Sequence, residues 1–270
     1  MRLFDAHCHM QDEAFDADLD AVLQRARAAG VDMMLCCGTA ESDWPKVEAL
    51  SRRHSVIIPS FGIHPWYSSS RSVDWLRILT ELLLADPMAV VGEIGLDHAI
   101  DQRNDAAQAE LFADQLRLAK AMERPACIHC RKAWESTVNI LGDIAELPAG
   151  FMLHSFSGPV ELIKPLSQMG AYFSFSGTIT RHRNTRGHAA VAAVPIERLL
   201  VETDAPDLTP VAPALPADQA SPGLLARNEP ANLVRVIEKI AELRNMDEAD
   251  VAAVTSANAC RLLRVNLSRV

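Results

Sequence analysis

Ala89-Val90-Val91-Gly92-Glu93-Ile94-Gly95-Leu96-Asp97 decides the fold. An apolar run leads straight into a carboxylate, with no alternation of wet and dry positions. Alternation marks a strand with one solvated face. A continuous apolar run fits a parallel strand covered on both faces. An ionised Glu at the end of such a strand is costly without a partner. A metal ion would supply one, as would an Arg or Lys at the rim.

Seven further runs of strand character flank this one, over 3–9, 32–38, 56–63, 126–129, 151–155, 171–176 and 199–202. Amphipathic helical patterns separate them. Within 105–124, Phe112, Leu116, Ala119 and Met122 recur on one helical face, and Leu233, Val236, Ile237 and Ile240 do the same near the C-terminus. Eight strands alternating with helices predict an α/β fold, a TIM (β/α)8 barrel forming a single domain over residues 1–270. A doubly wound open sheet is the second choice, but no Gly-x-Gly-x-x-Gly follows the first run. Residues 205–227 form one long irregular stretch after the last strand. A loop of that length is functional or mobile.

Composition bounds the function without selecting it. Of 270 residues, 49% are hydrophobic and 23% charged, which excludes a disordered or fibrous chain. The net charge of −9 argues against broad electrostatic wrapping of duplex nucleic acid. It leaves room for a nuclease, because bound cations can meet one phosphate locally. Cys127 and Cys130 have CxxC spacing, but strand geometry puts them on opposite faces, so all six cysteines are expected as reduced thiols. No signal-like segment opens the sequence and no run is long enough to span a membrane. The expected location is the cytoplasm.

The chemistry concentrates at the ends of the predicted strands, the face on which barrel enzymes build active sites. His7 and His9 close the first run. Residues two apart on a strand share a face, with Cα atoms about 6.5 Å apart, so two imidazoles can converge on one ion. Glu93 closes the fourth run, His129 the fifth, His154 the sixth, and Asp204 follows the eighth. Any one of them alone reads as a satisfied core or rim residue. All six at strand ends read as a metal site. Histidines with carboxylates suit Zn, Mn, Fe or Co, whereas Mg prefers oxygen ligands.

Taken with Phe61-Gly62-Ile63-His64-Pro65, Ile128-His129-Cys130-Arg131, His154-Ser155-Phe156-Ser157-Gly158, Glu202-Thr203-Asp204-Ala205-Pro206 and Arg227-Asn228-Glu229-Pro230, these motifs resemble the TatD family of metal-dependent hydrolases and deoxyribonucleases, within the amidohydrolase-like superfamily. The resemblance covers nearly the whole chain. It implies a TIM barrel with two divalent ions, one held by His7, His9, Glu93 and Asp204, the other by Glu93, His129 and His154. Departures at His98, Cys130 and Ser155 flank these positions and bear on substrate preference.

The expected reaction is hydrolysis of a phosphodiester, with single-stranded DNA ends as substrate and Asp204 as general base toward a metal-activated water. A small amide, ester or lactone is the alternative substrate, and a non-catalytic metal-stabilised scaffold the third reading. No obligate protein partner is inferred. His64, Arg131, Arg227 and Glu229 are further candidates for substrate contact, Glu229 also as a carboxylate orienting a metal-bound histidine. Arg181, Arg183 and Arg186 form a small basic cluster after the seventh strand. His54, His182 and His188 are read as surface residues.

Overall fold

The computed structural model describes residues 1–101, 103–211 and 227–265. Its strands are β1 (Leu3–Cys8), β2 (Val31–Cys37), β3 (Ile57–Phe61), β4 (Val90–Asp97), β5 (Ala126–Arg131), β6 (Phe151–Leu153), β7 (Ala171–Phe175) and β8 (Leu199–Val201). All neighbours pair in parallel, in chain order. The connections carry helices α1 (Leu19–Ala28), α2 (Trp44–Arg53), α3 (Trp75–Ala85), α4 (Asp105–Ala121), α5 (Trp134–Ile144), α6 (Ile163–Gln168) and α7 (Thr185–Ala193). Helices α8 (Leu233–Arg244) and α9 (Glu248–Leu263) follow. The last strand returns to the first: the Asp204 amide donates to the His7 carbonyl at 2.9 Å, and the His9 amide to the Ala205 carbonyl at 2.7 Å. This closure makes a barrel and rules out the open sheet.

The apolar runs are buried on both faces, as a barrel requires. Phe4, Leu35, Ile58, Val90, Cys127 and Met152 fill the interior, and Leu262 and Leu263 of α9 plug its N-terminal end. Alternate strand residues pack outward under the helices. The cysteines follow this geometry: Cys127 lies inside, Cys130 points outward to Thr137, and none of the six is in a disulfide.

Two departures from the sequence expectation shape the site. β4 runs on to Asp97, so Glu93 sits within the strand and not at its end. Its register against β5 slips between Val91 and Ile94. Gly95 then crosses β5 so closely, at φ +142°, that a Cβ there would lie 1.9 Å from the His129 carbonyl oxygen. Only glycine permits that approach, which sets the Glu93 strand against the His129 strand.

Helix α4 acts as a jig for the same region. Gln108 and Gln115 interrupt its apolar face and are buried. Gln115 Oε1 accepts from the Ile63 amide at 2.7 Å and Nε2 donates to the Ile63 carbonyl at 3.1 Å; Gln108 makes the equivalent pair with Asp97. Both loops that meet at the site are thereby satisfied and held. Residues 212–226, most of the expected irregular stretch, lie outside the described residues. No helix among the described residues is long and apolar enough to cross a membrane.

Candidate active site

Five strands deliver their polar residues to one point at the C-terminal mouth of the barrel. His7 Nε2 and His9 Nε2 lie 3.1 Å apart. Asp204 Oδ1 is 3.3 Å from the first and 3.4 Å from the second, and Glu93 Oε2 is 3.4 and 3.5 Å away. The other Glu93 oxygen, Oε1, faces a second cluster. It is 2.9 Å from His129 Nδ1 and 2.8 Å from His154 Nε2, which are themselves 3.0 Å apart. One buried carboxylate is therefore shared between two groups of nitrogen and oxygen donors.

The outer nitrogen of each imidazole is also accounted for. His9 Nδ1 donates to the Cys37 carbonyl at 2.7 Å, and His7 Nδ1 lies 3.1 Å from the Cys127 thiol. His129 Nε2 faces Asp97 Oδ2 at 3.3 Å. His154 Nδ1 lies 3.6 Å from Glu202 Oε1 and is otherwise without a hydrogen-bond partner. Acceptors at the outer nitrogens of His9 and His129 orient the inner nitrogens of these two rings, once deprotonated, as lone pairs toward the clusters. Lone pairs crowded at 3.0–3.1 Å with carboxylate oxygens are donor sets that fit divalent cations.

Burial opposes a proton on His7, His9 and His154, yet all three are raised, His7 by Cys37 and then Glu93, His9 by Asp204 and Glu93, and His154 by Glu93 and Glu202 to about 9. Burial likewise opposes charge on Glu93, but the surrounding histidines hold it well below the usual carboxylate range. Asp204 is lowered against burial by hydrogen bonds from His7 and His9. Its backbone is held at φ +58°, a left-handed conformation rare for residues with a side chain and typical of functional turns. His64 differs: burial dominates and lowers it to about 4, so it stays neutral. Its Nδ1 accepts from the Trp66 amide at 3.3 Å, which places its proton on Nε2, 3.4 Å from Glu93 Oε1.

A family model described as TatD related DNase matches residues 4–264. The chain belongs to this family. It is 33% identical over 264 residues to the uncharacterised metal-dependent hydrolase YabD of Bacillus subtilis, across 98% of this chain and all of that one. It is 33% identical over 267 residues to the 3'-5' ssDNA/RNA exonuclease TatD of Cronobacter sakazakii, covering 98% and 99%. The crystal structure of the TatD homologue YjjV from Escherichia coli superposes with a TM-score of 0.89 at 30% identity, covering 98% and 99%.

In this TatD-family hydrolase the six residues expected to bind metal and His64 converge, but the other three expected contacts do not. Arg131, the last residue of β5, is exposed and does not line the cavity. Arg227 is held by Asp18 at 2.8 and 2.9 Å and lies over the Phe15 ring. Glu229 pairs with Arg25 at 2.7–3.0 Å and orients no site histidine. The carboxylates that do face site histidines are Asp97, at 3.3 Å from His129, and Glu202, at 3.6 Å from His154, neither of them singled out by the sequence pattern. Glu202 also accepts from the Ser155 amide at 2.7 Å and from the Ser174 hydroxyl. His182 is exposed, and His54 and His188 are half-buried.

Asp97 accepts from Trp66 Nε1 at 2.8 Å as well as facing His129. Asp97→Asn removes the charge that fixes the His129 tautomer. Metal affinity at the second cluster should fall roughly 10- to 100-fold. Competition with a chromophoric chelator measures this, and an unchanged dissociation constant would remove Asp97 from the role.

Proposed function

We propose that the two clusters hold two divalent ions, one on His7, His9, Asp204 and Glu93 Oε2, the other on His129, His154 and Glu93 Oε1, and that the protein hydrolyses phosphodiesters at the ends of single-stranded DNA or RNA. The observation that carries this is the division of the two Glu93 oxygens between two donor sets. The imidazole-rich sets suit Zn, Mn, Fe or Co, with Mg accommodated less readily. Bound there, such ions would acidify the attacking water and offset charge developing on phosphorus.

The protein's own groups do the rest. Asp204 stays ionised through the neutral range, opens onto the cavity, and accepts the proton of the attacking water. Neutral His64 presents an N–H beside Glu93 Oε1, which helps hold that carboxylate with one oxygen toward each cluster. The cavity, of about 430 Å³, has no Lys or Arg among its described lining residues; Asp12, Glu13, Asp43 and Asp207 rim it instead. Such a mouth disfavours a duplex and admits a single strand end or another short substrate. Arg183 and Arg186 line a neighbouring polar cavity with Ser155 and Thr178, past the ends of β6 and β7, where a departing strand could be met. A larger cavity of about 770 Å³ lies at the opposite end of the barrel and holds none of these groups. Six cysteines without a disulfide fit a reducing compartment, and the cytoplasm is the proposed location.

Protons occupy the clusters when ions do not. Because His154 is raised to about 9, metal binding at pH 7 must displace its proton. Apparent affinity should therefore rise as pH increases from 6 toward 9. Calorimetric titration in two buffers of different ionisation enthalpy should show release of about one proton or more per chain; equal heats in both buffers would contradict it. The activity itself is tested with end-labelled single-stranded DNA and bis(p-nitrophenyl) phosphate, on metal-reconstituted and chelator-treated protein. Metal-dependent shortening from one end supports the reading. No turnover of either substrate by protein holding two ions would shift it to a small amide, ester or lactone.

A further inference from the structure

We propose that Trp66 is a stacking platform for the terminal nucleobase of the substrate strand, an inference that rests on the phosphodiesterase reading. Trp66 sits in the short 3-10 turn Pro65–Tyr67, directly after His64, and lines the same cavity as His9, Glu93, His129 and Asp204. One edge of the indole is fixed. Nε1 donates to Asp97 Oδ2 at 2.8 Å, and the ring meets His64 edge-on, with centroids 4.9 Å apart and planes at 87°. The rest is open: Trp66 is 54% exposed and the adjoining Tyr67 40%, among the few large apolar side chains left in solvent.

An indole anchored by its N–H with its surface exposed at the mouth of a catalytic cavity is arranged to receive a planar, apolar ligand. A nucleobase next to the reacting phosphate is such a ligand. The missing cations strengthen the inference. With no Lys or Arg lining the described part of the cavity, no basic side chain there adds to the hold of the proposed ions on a strand end. Stacking on an aromatic face supplies affinity of another kind, and it tolerates every base. The anchor also ties the platform to the chemistry, since the carboxylate that holds the indole faces His129.

The test compares wild type, Trp66→Ala and Trp66→Phe in metal-reconstituted protein. Each is measured on a single-stranded oligonucleotide with a normal terminal residue and on one with an abasic terminal residue. Binding of phosphorothioate versions is measured in parallel. Trp66→Ala should raise KM and Kd for the normal end roughly tenfold (about 1.4 kcal/mol). Trp66→Phe, which keeps a ring but loses the N–H to Asp97, should recover most of that loss. On the abasic end wild type and Trp66→Ala should converge. The proposal is overturned if Trp66→Ala weakens both ends equally, or neither. Hydrolysis without base dependence sinks the platform and spares the phosphodiesterase. Base-dependent binding without hydrolysis does the reverse.

Discussion

Asp204→Asn should abolish most turnover while leaving the barrel folded. Asp204 Oδ1 lies 3.3–3.4 Å from His7 and His9, and its side chain reaches the cavity. Asparagine keeps the shape and one oxygen donor but cannot accept a proton. Loss of a positioned general base costs roughly 10²- to 10⁴-fold in kcat. The variant should still hold metal, because His7, His9 and Glu93 remain around that cluster. Excess metal should not restore activity. Metal content by atomic emission, measured beside kcat, separates loss of the base from loss of an ion. Near-wild-type turnover in a metal-loaded variant would remove Asp204 from the chemistry.

Glu93→Gln should be at least as damaging, for a different reason. Both Glu93 oxygens are in use, one in each cluster. An amide offers a single oxygen, so its NH₂ must face lone-pair nitrogens on one side. It also removes the negative charge that pairs with the surrounding histidines. Metal content should fall from two ions per chain to one or none. Losing one ion withdraws several kcal/mol of charge stabilisation, about three decades in rate. Two ions per chain and a kcat within tenfold of wild type would refute the shared role.

Much of this was legible in the sequence because barrel strands advertise themselves. Short apolar runs, several of them uninterrupted, located all eight, and the polar residues at the ends of five of them pointed to one face of the barrel. The His7 and His9 spacing needed only strand geometry. What the sequence hid lies in pairings between distant segments. Asp97 meets His129 across 32 positions, and Glu202 accepts from the Ser155 amide across 47. Nothing local marks either carboxylate as a histidine's partner. Gln108 and Gln115, on which the helical pattern is silent, satisfy the backbone at the end of β4 and at Ile63. Glu229 misled in the opposite sense. It belongs to a motif with chemical character, yet its charge is spent on Arg25. Trp66 carried no signal, since an exposed aromatic in a turn looks the same whether it binds a ligand or not.

The most direct test of the shared-carboxylate centre is anomalous diffraction at the metal edge from crystals grown with Mn²⁺ or Zn²⁺. Two peaks are expected, about 3.5–4 Å apart, each next to a different oxygen of Glu93. A single peak, or one displaced to the thiols of Cys37 and Cys127 beneath His7, would contradict the account.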